Sequence, residues 1–276
     1  NGRPLGQTGA VGIDPQSEAP RDHLLLRSFD HSGDSLSLVV QVSNHHNMQG
    51  GLNDPILLGS ETALQRKVRQ GYIVTAFLCG GLFIMAVIHL LLFLLRRTEI
   101  ANLYFGLYCL LQSMGRMAGD TRVSLLEIVL PGLPWRAGID LTIVPMIVSI
   151  PFLVMLYQAL FPWKHGRAVQ RFYGVAAALL MMYVALTPPN AYDPVVMIFV
   201  GVALTAFPYL FYRFMLDLAR KRDGAGILAP GYLMLAMVLV MDLFLEFHLF
   251  ETVRLVPLAM FFFVLSYSFL IGVRYA

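Results

Sequence analysis

Charge is scarce in this chain. Asp, Glu, Lys and Arg make up 13% of its 276 residues, where soluble domains carry about a quarter. Its three lysines are Lys67, Lys164 and Lys221. None lies in an apolar core, which excludes a pigment built on a Schiff-base lysine. Cysteine is nearly absent too: Cys79 and Cys109 both sit in apolar runs. That rules out a disulfide framework and leaves them packing roles. There is no basic stripe and no nucleic-acid motif, so DNA and RNA binding have no support. Gly-x-Ser-Gly, a late His-x-x-x-His and a phosphate-cradling glycine loop are all missing, which disfavours catalysis inside the apolar region. No leader-like segment opens the chain at Asn1-Gly2-Arg3-Pro4. Both ends are expected to be cut from a longer protein.

What the chain does have is grease. Hydrophobic residues reach 57% and mean hydropathy is +0.67. Seven apolar stretches run near Tyr72–Leu95, Leu103–Ala118, Ile139–Phe161, Phe172–Leu186, Val195–Leu216, Ile227–Phe247 and Val253–Val273. A bilayer-crossing helix takes about 20 apolar residues, and a helix satisfies its own backbone in lipid. The fold class expected is membrane all-α: a seven-helix bundle preceded by the last strands of a β-sandwich.

The sandwich reading rests on residues 1–63. His23–Phe29 and Ser35–Ser43 have strand character, with the turn residues 30–34 between them. Asn44 to Asp54 is a polar loop, and Ile56–Gly59 could add a short strand. Residues 64–71 read as a linker and 72–276 as the membrane domain. His45-His46 could bind metal, but a plain polar loop is the better reading, and no metal or cofactor is expected.

Basic residues fall on one side of the stretches: Arg96-Arg97, then Lys164, Arg167 and Arg171, then Arg220-Lys221-Arg222. By the positive-inside rule that side is cytoplasmic, with the N-terminus outside and the C-terminus inside. Arg66, Lys67 and Arg69 argue the other way. Pro145, Pro151, Pro208 and Pro257 predict kinks, and the small-residue pairs Ala76/Gly80 and Gly201/Thr205 permit close helix approach.

Intramembrane polar groups are costly and therefore informative. Asp242 and Glu246 share a helix face, and Arg116 is their expected partner in a polar switch. His89 is a further switch candidate, deeper and toward the cytoplasmic side. Asp120, Asp140, His248 and Arg254 complete an outer polar cluster. A water-filled outward pocket and a metal site on Asp242, Glu246 and His248 are the competing readings.

Gly81 through His89-Leu90-Leu91-Leu92-Phe93-Leu94-Leu95-Arg96-Arg97, Leu103-Tyr104-Phe105-Gly106-Leu107 through Arg116 and Asp120, Leu160-Phe161-Pro162 and Met241-Asp242-Leu243-Phe244-Leu245 follow one another in order. In that order they resemble bacterial seven-transmembrane receptors with diverse intracellular signalling modules. Ser43, Asn44, Gly50, Gly51 and Gly59 resemble the end of that family's exported, carbohydrate-binding-like sandwich. Ile88 departs from the aromatic often found before His89. The resemblance implies a receptor in the bacterial inner membrane, surrounded by lipid. It would bind a small extracytoplasmic ligand, perhaps a carbohydrate, and drive a cytoplasmic module after Ala276: a histidine kinase, a diguanylate cyclase or a phosphatase. A homodimer is compatible with it. The alternative is a small-solute transporter or channel, against which the lack of an inverted repeat argues.

Overall fold

The computed structural model describes residues 4–21, 24–31, 33–48, 50, 56–119, 124–246 and 256–275. Helices α1 (Glu61–Leu95), α2 (Ile100–Gly119), the short α3 (Leu126–Val129), α4 (Trp135–Leu160), α5 (Gly166–Leu186), α6 (Asp193–Ala219), α7 (Ala225–Glu246) and α8 (Val256–Tyr275) follow one another. Successive long helices alternate in direction. One end of the bundle, here the near end, carries the start of α1 and the N-terminal segment. The far end carries the close of α8.

Length and composition fit α1, α4, α5 and α6 to cross a membrane. Apolar stretches at Ala225–Val238 and Leu258–Arg274 extend the pattern to α7 and α8. Large side chains such as Ile73, Phe77, Ile84 and Leu91 point outward from α1. In water they would be a liability; in hydrocarbon they are solvated. α2 carries Asn102, Gln112, Ser113 and Arg116 yet still belongs to the bundle. It packs closely between α1 and α4, where protein rather than lipid meets its polar groups. The Ser113 hydroxyl donates to the Cys79 carbonyl at 3.0 Å.

α1 is longer than the Tyr72–Leu95 stretch. It begins at Glu61 and takes in residues 64–71 as helix. Its 35 residues span about 52 Å at 1.5 Å per residue, well beyond a hydrocarbon core of about 30 Å.

Close helix approach occurs away from the expected pairs. A Cβ on Gly80 or Gly201 would meet nothing within 4 Å, so those faces look out of the bundle. The tight places are Gly81, where a Cβ would come within 2.6 Å of Phe261, Gly106 against Leu90 at 2.7 Å, and Gly231 against Ser266 at 2.6 Å. Pairing of small residues at i and i+4 identifies a smooth face but not which neighbour uses it. Pro145, Pro151 and Pro208 lie inside helices as expected. Pro257 is instead the second residue of α8, where a missing N–H costs nothing.

No strand occurs among the described residues. Among the described residues, backbone pairing outside helices and turns is limited to an antiparallel bridge, Ala10 with Ala19, at 2.9 and 3.0 Å. Residues 24–31 and 33–43 carry exposed Leu24, Leu36, Leu38, Val39 and Val40. The expected hairpin is therefore absent here. Two strands with no third neighbour and no surface to cover are marginal on their own. His23, Ser32 and residues 51–55, Gly51 among them, lie outside the described residues.

Candidate functional site

Polar side chains gather at three levels of the bundle. At the near end the N-terminal segment folds into a knot around Glu18. Ser43 donates to Glu18 Oε1 at 2.7 Å, and the His45 N–H to Oε2 at 2.7 Å. His46 Nδ1 lies 2.9 Å from Oε2. An ionised carboxylate only accepts, so that nitrogen carries the proton. The Ser43 hydroxyl holds the Glu18 carboxyl down to about 2 from an ordinary 4.5. Burial opposes this, and His46 and the His45 N–H add to it. Asn44 closes the turn on Asn47, with Gly50 against its side chain. Gly59 stands exposed just before α1.

This knot rests on the bundle. The His46 ring meets Trp135 edge-on at 6.3 Å. Asn190 donates to the His45 carbonyl at 3.2 Å, and Met48 packs on the cluster of Ile143, Ala177, Leu180, Val184 and Val195. Trp135 is placed there by the Leu130–Leu133 turn, in which Gly132 takes φ +88°, followed by Pro134 at the N-cap of α4. Asp140 fixes the receiving surface. It accepts from the buried Tyr192 hydroxyl at 2.8 Å and lies 3.7 Å from Arg136.

The second level is His89, buried between α1, α2 and α8. Its Nδ1 is 2.8 Å from Asn102 Oδ1 and its Nε2 is 2.9 Å from Ser268 Oγ. Asn102 Nδ2 donates to Glu99 at 3.0 Å, which turns Oδ1 toward His89. Nδ1 is then the donor, and a neutral ring accepts from Ser268 at Nε2. The ring edge of Phe105 packs at 4.5 Å.

The third level is a clasp at the far end. Asp217 is fully buried near the close of α6. It accepts from Tyr157 at 2.8 Å and from Arg222 at 3.1 Å, with Arg213 at 3.7 Å. The rings of Phe161 and Trp163 form a shelf under these cations. Arg222 and Arg274 lie 5.6 and 5.7 Å from the Phe161 centroid, and Arg213 lies 5.2 Å from that of Trp163. Arg274, in the last turn of α8, also donates to the Leu160 carbonyl. That carbonyl is one of the orphan acceptors at the end of α4, and its negative dipole end favours a cation. α8 is thereby tied to α4 and, through the shelf, to α6.

Of the residues expected to form a switch, His89 lies at the far side and Arg116 toward the near end, so the bundle does not bring these two together. Arg116 is half-buried on α2. Asp242 and Glu246 lie on α7, but their side chains are outside the described residues, and so is the expected pairing with Arg116. Asp120, His248 and Arg254 are also outside. Among the described residues no group of three potential ligands could hold a metal. Asp217 is the group the sequence reading misses. Its signal is a carboxylate four residues after Arg213 at the rim of an apolar run.

These features define a multi-pass helical membrane protein with furnished ends. The family model described as 7TM diverse intracellular signalling matches residues 71–274, and the chain belongs to that family. It is accordingly a transmembrane sensory receptor domain, which senses rather than catalyses. Comparison with curated proteins and with solved structures finds no match.

Proposed function

We propose that this chain couples an exported ligand-binding domain to a cytoplasmic signalling module in the inner membrane of a bacterium. Residues 1–63 belong to the sensor, a carbohydrate-binding-like sandwich. Residues 64–71 join it as continuous helix to the receptor domain, 72–276. The N-terminus is outside, and the far end delivers the signal to a histidine kinase, diguanylate cyclase or phosphatase. One observation carries the reading: the N-terminal knot seats on Trp135 and Asn190 at one end, while Arg274 of α8 is held at the other. Ligand that binds one arrangement of the near end better shifts the bundle by that difference in affinity, and by nothing else.

Reporter enzymes fused at the two termini test it. Activity on opposite faces of the membrane is the expected result. Both reporters on one face would overturn the coupling.

A further inference from the structure

The helices of this bundle are unevenly packed. α7 lies along α8, while α6 touches α4, α5 and α7 only sparsely. The slack collects in a cavity of about 270 Å³ bounded by α4, α6, α7 and α8. Its back wall is buried: Leu153, Leu210 and Phe263, each no more than 2% exposed, with Tyr232 beside them. Its partly exposed lining, Phe207 and Phe211 on α6 and Ala236 on α7, frames a mouth between those two helices. Pro208, exposed at the same place, lies inside α6, and a proline inside a helix bends it.

The position of the mouth limits what reaches it. Pro208 and Ala236 fall near the middle of their helices, so the mouth opens at the depth of the hydrocarbon core. The nearby Leu204, Leu233 and Met237 are apolar and well exposed, which makes the cavity continuous with the lipid-facing surface. Water is a poor occupant. A buried water needs about two to four polar partners. The side-chain hydroxyl in the described lining, on Tyr232, is already paired with that of Tyr267 at 2.7 Å. A dry gap is no better, because every side chain around it gives up dispersion contacts. No charged side chain occurs in the described lining, so nothing there selects a headgroup.

We infer that this cavity takes one hydrocarbon tail of a bilayer lipid, entering between α6 and α7 and ending against Leu153 and Phe263. A cavity of about 150 Å³ accepts one benzene ring, so this one admits the end of a chain but not a sterol nucleus. The tail supplies the contacts that α6 lacks toward α4 and α8. It also lies against Tyr232, whose hydroxyl joins α7 to α8. The site reads the chain alone and holds whichever way the bundle faces.

Photolabelling in nanodiscs tests it, with a phosphatidylcholine that carries a diazirine in the distal half of one chain. Peptide mapping of the whole chain should find adducts on Leu153 and Phe263 in addition to those on the outer surface at Leu233 and Met237. Ile147, just as buried but in the apolar cluster that receives Met48, should stay unlabelled. Ala236→Trp narrows the mouth and should remove the adducts on Leu153 and Phe263 while leaving those on the exposed Leu91 of α1. Phosphatidylglycerol with the same chain should label the back wall equally. Adducts confined to the outer surface would overturn the site. So would Ile147 labelled as strongly as Leu153, a back wall still labelled in Ala236→Trp, or labelling that follows one headgroup. The wild-type map decides the matter alone should Ala236→Trp misfold.

Discussion

The two ends of this bundle are held by different chemistry. At the near end the carboxylate is Glu18, and its partners are a hydroxyl, an amide and an imidazole. The knot touches the helices through one aromatic edge, one amide and one methionine. At the far end the carboxylate is Asp217, buried and met by a phenol and two guanidiniums over aromatic rings. A shallow neutral contact releases at small cost. A buried charge network holds one arrangement until something stronger displaces it. If the near end receives the stimulus, as proposed, the contrast would leave the receiving side easy to move and the other side with a defined resting position.

The far end should be the more damaging place to cut. Asp217→Ala strands Arg213 and Arg222 and should cost roughly 3 kcal/mol, read as a lower Tm in detergent. Asp217→Asn, which still accepts from Tyr157, should lose less. If Asp217→Ala leaves Tm unchanged, the clasp does not hold the bundle.

His89→Leu comes next. It leaves the Asn102 and Ser268 groups without their partner and should cost about 2 kcal/mol. His89→Gln, which keeps a donor and an acceptor, should recover part of that. An equal loss in both would assign His89 a role by shape alone.

Near-end changes should be smaller for the bundle. Trp135→Ala and Glu18→Gln should speed limited proteolysis of residues 12–46 while Tm stays near wild type. A large fall in Tm would erase the contrast between the ends.

Acid sharpens it further. The Glu18 carboxyl is depressed from 4.5 to about 2, so its contribution is complete above about pH 4.5. It declines as pH falls through about 2. Proteolysis of the near-end segment should therefore accelerate only across that window. An unchanged rate there would mean that Glu18 does not secure the knot.

Much of the bundle was legible as apolar length, because a bilayer tolerates little else. The ends of the helices were not. Stopping the fifth span at Leu216 sets Asp217 in a loop on paper, yet α6 runs on to Ala219 and buries it. Hydropathy counts a carboxylate as an exit from the membrane. It cannot see Tyr157 or Arg222, which come from 60 and 5 residues away in the chain. His89 is visible as a polar group in a greasy run, but its partners Asn102 and Ser268 become evident only when α2 and α8 are placed beside it. The alternation of Ser35–Ser43 does not make a strand here. Alternation alone supplies no neighbour to pair with.

The unbroken length of α1 bears on how a stimulus would travel. A stiff rod passes twist along its axis as faithfully as thrust, since no joint absorbs either. Adding one residue ahead of Tyr72 would turn the N-terminal head by about 100° relative to the buried turns, while lifting it only about 1.5 Å. Stepwise insertions of one to four residues would therefore sample a full revolution. Output that cycles with the fourth insertion would identify rotation as the message, whereas output that drifts steadily would identify displacement.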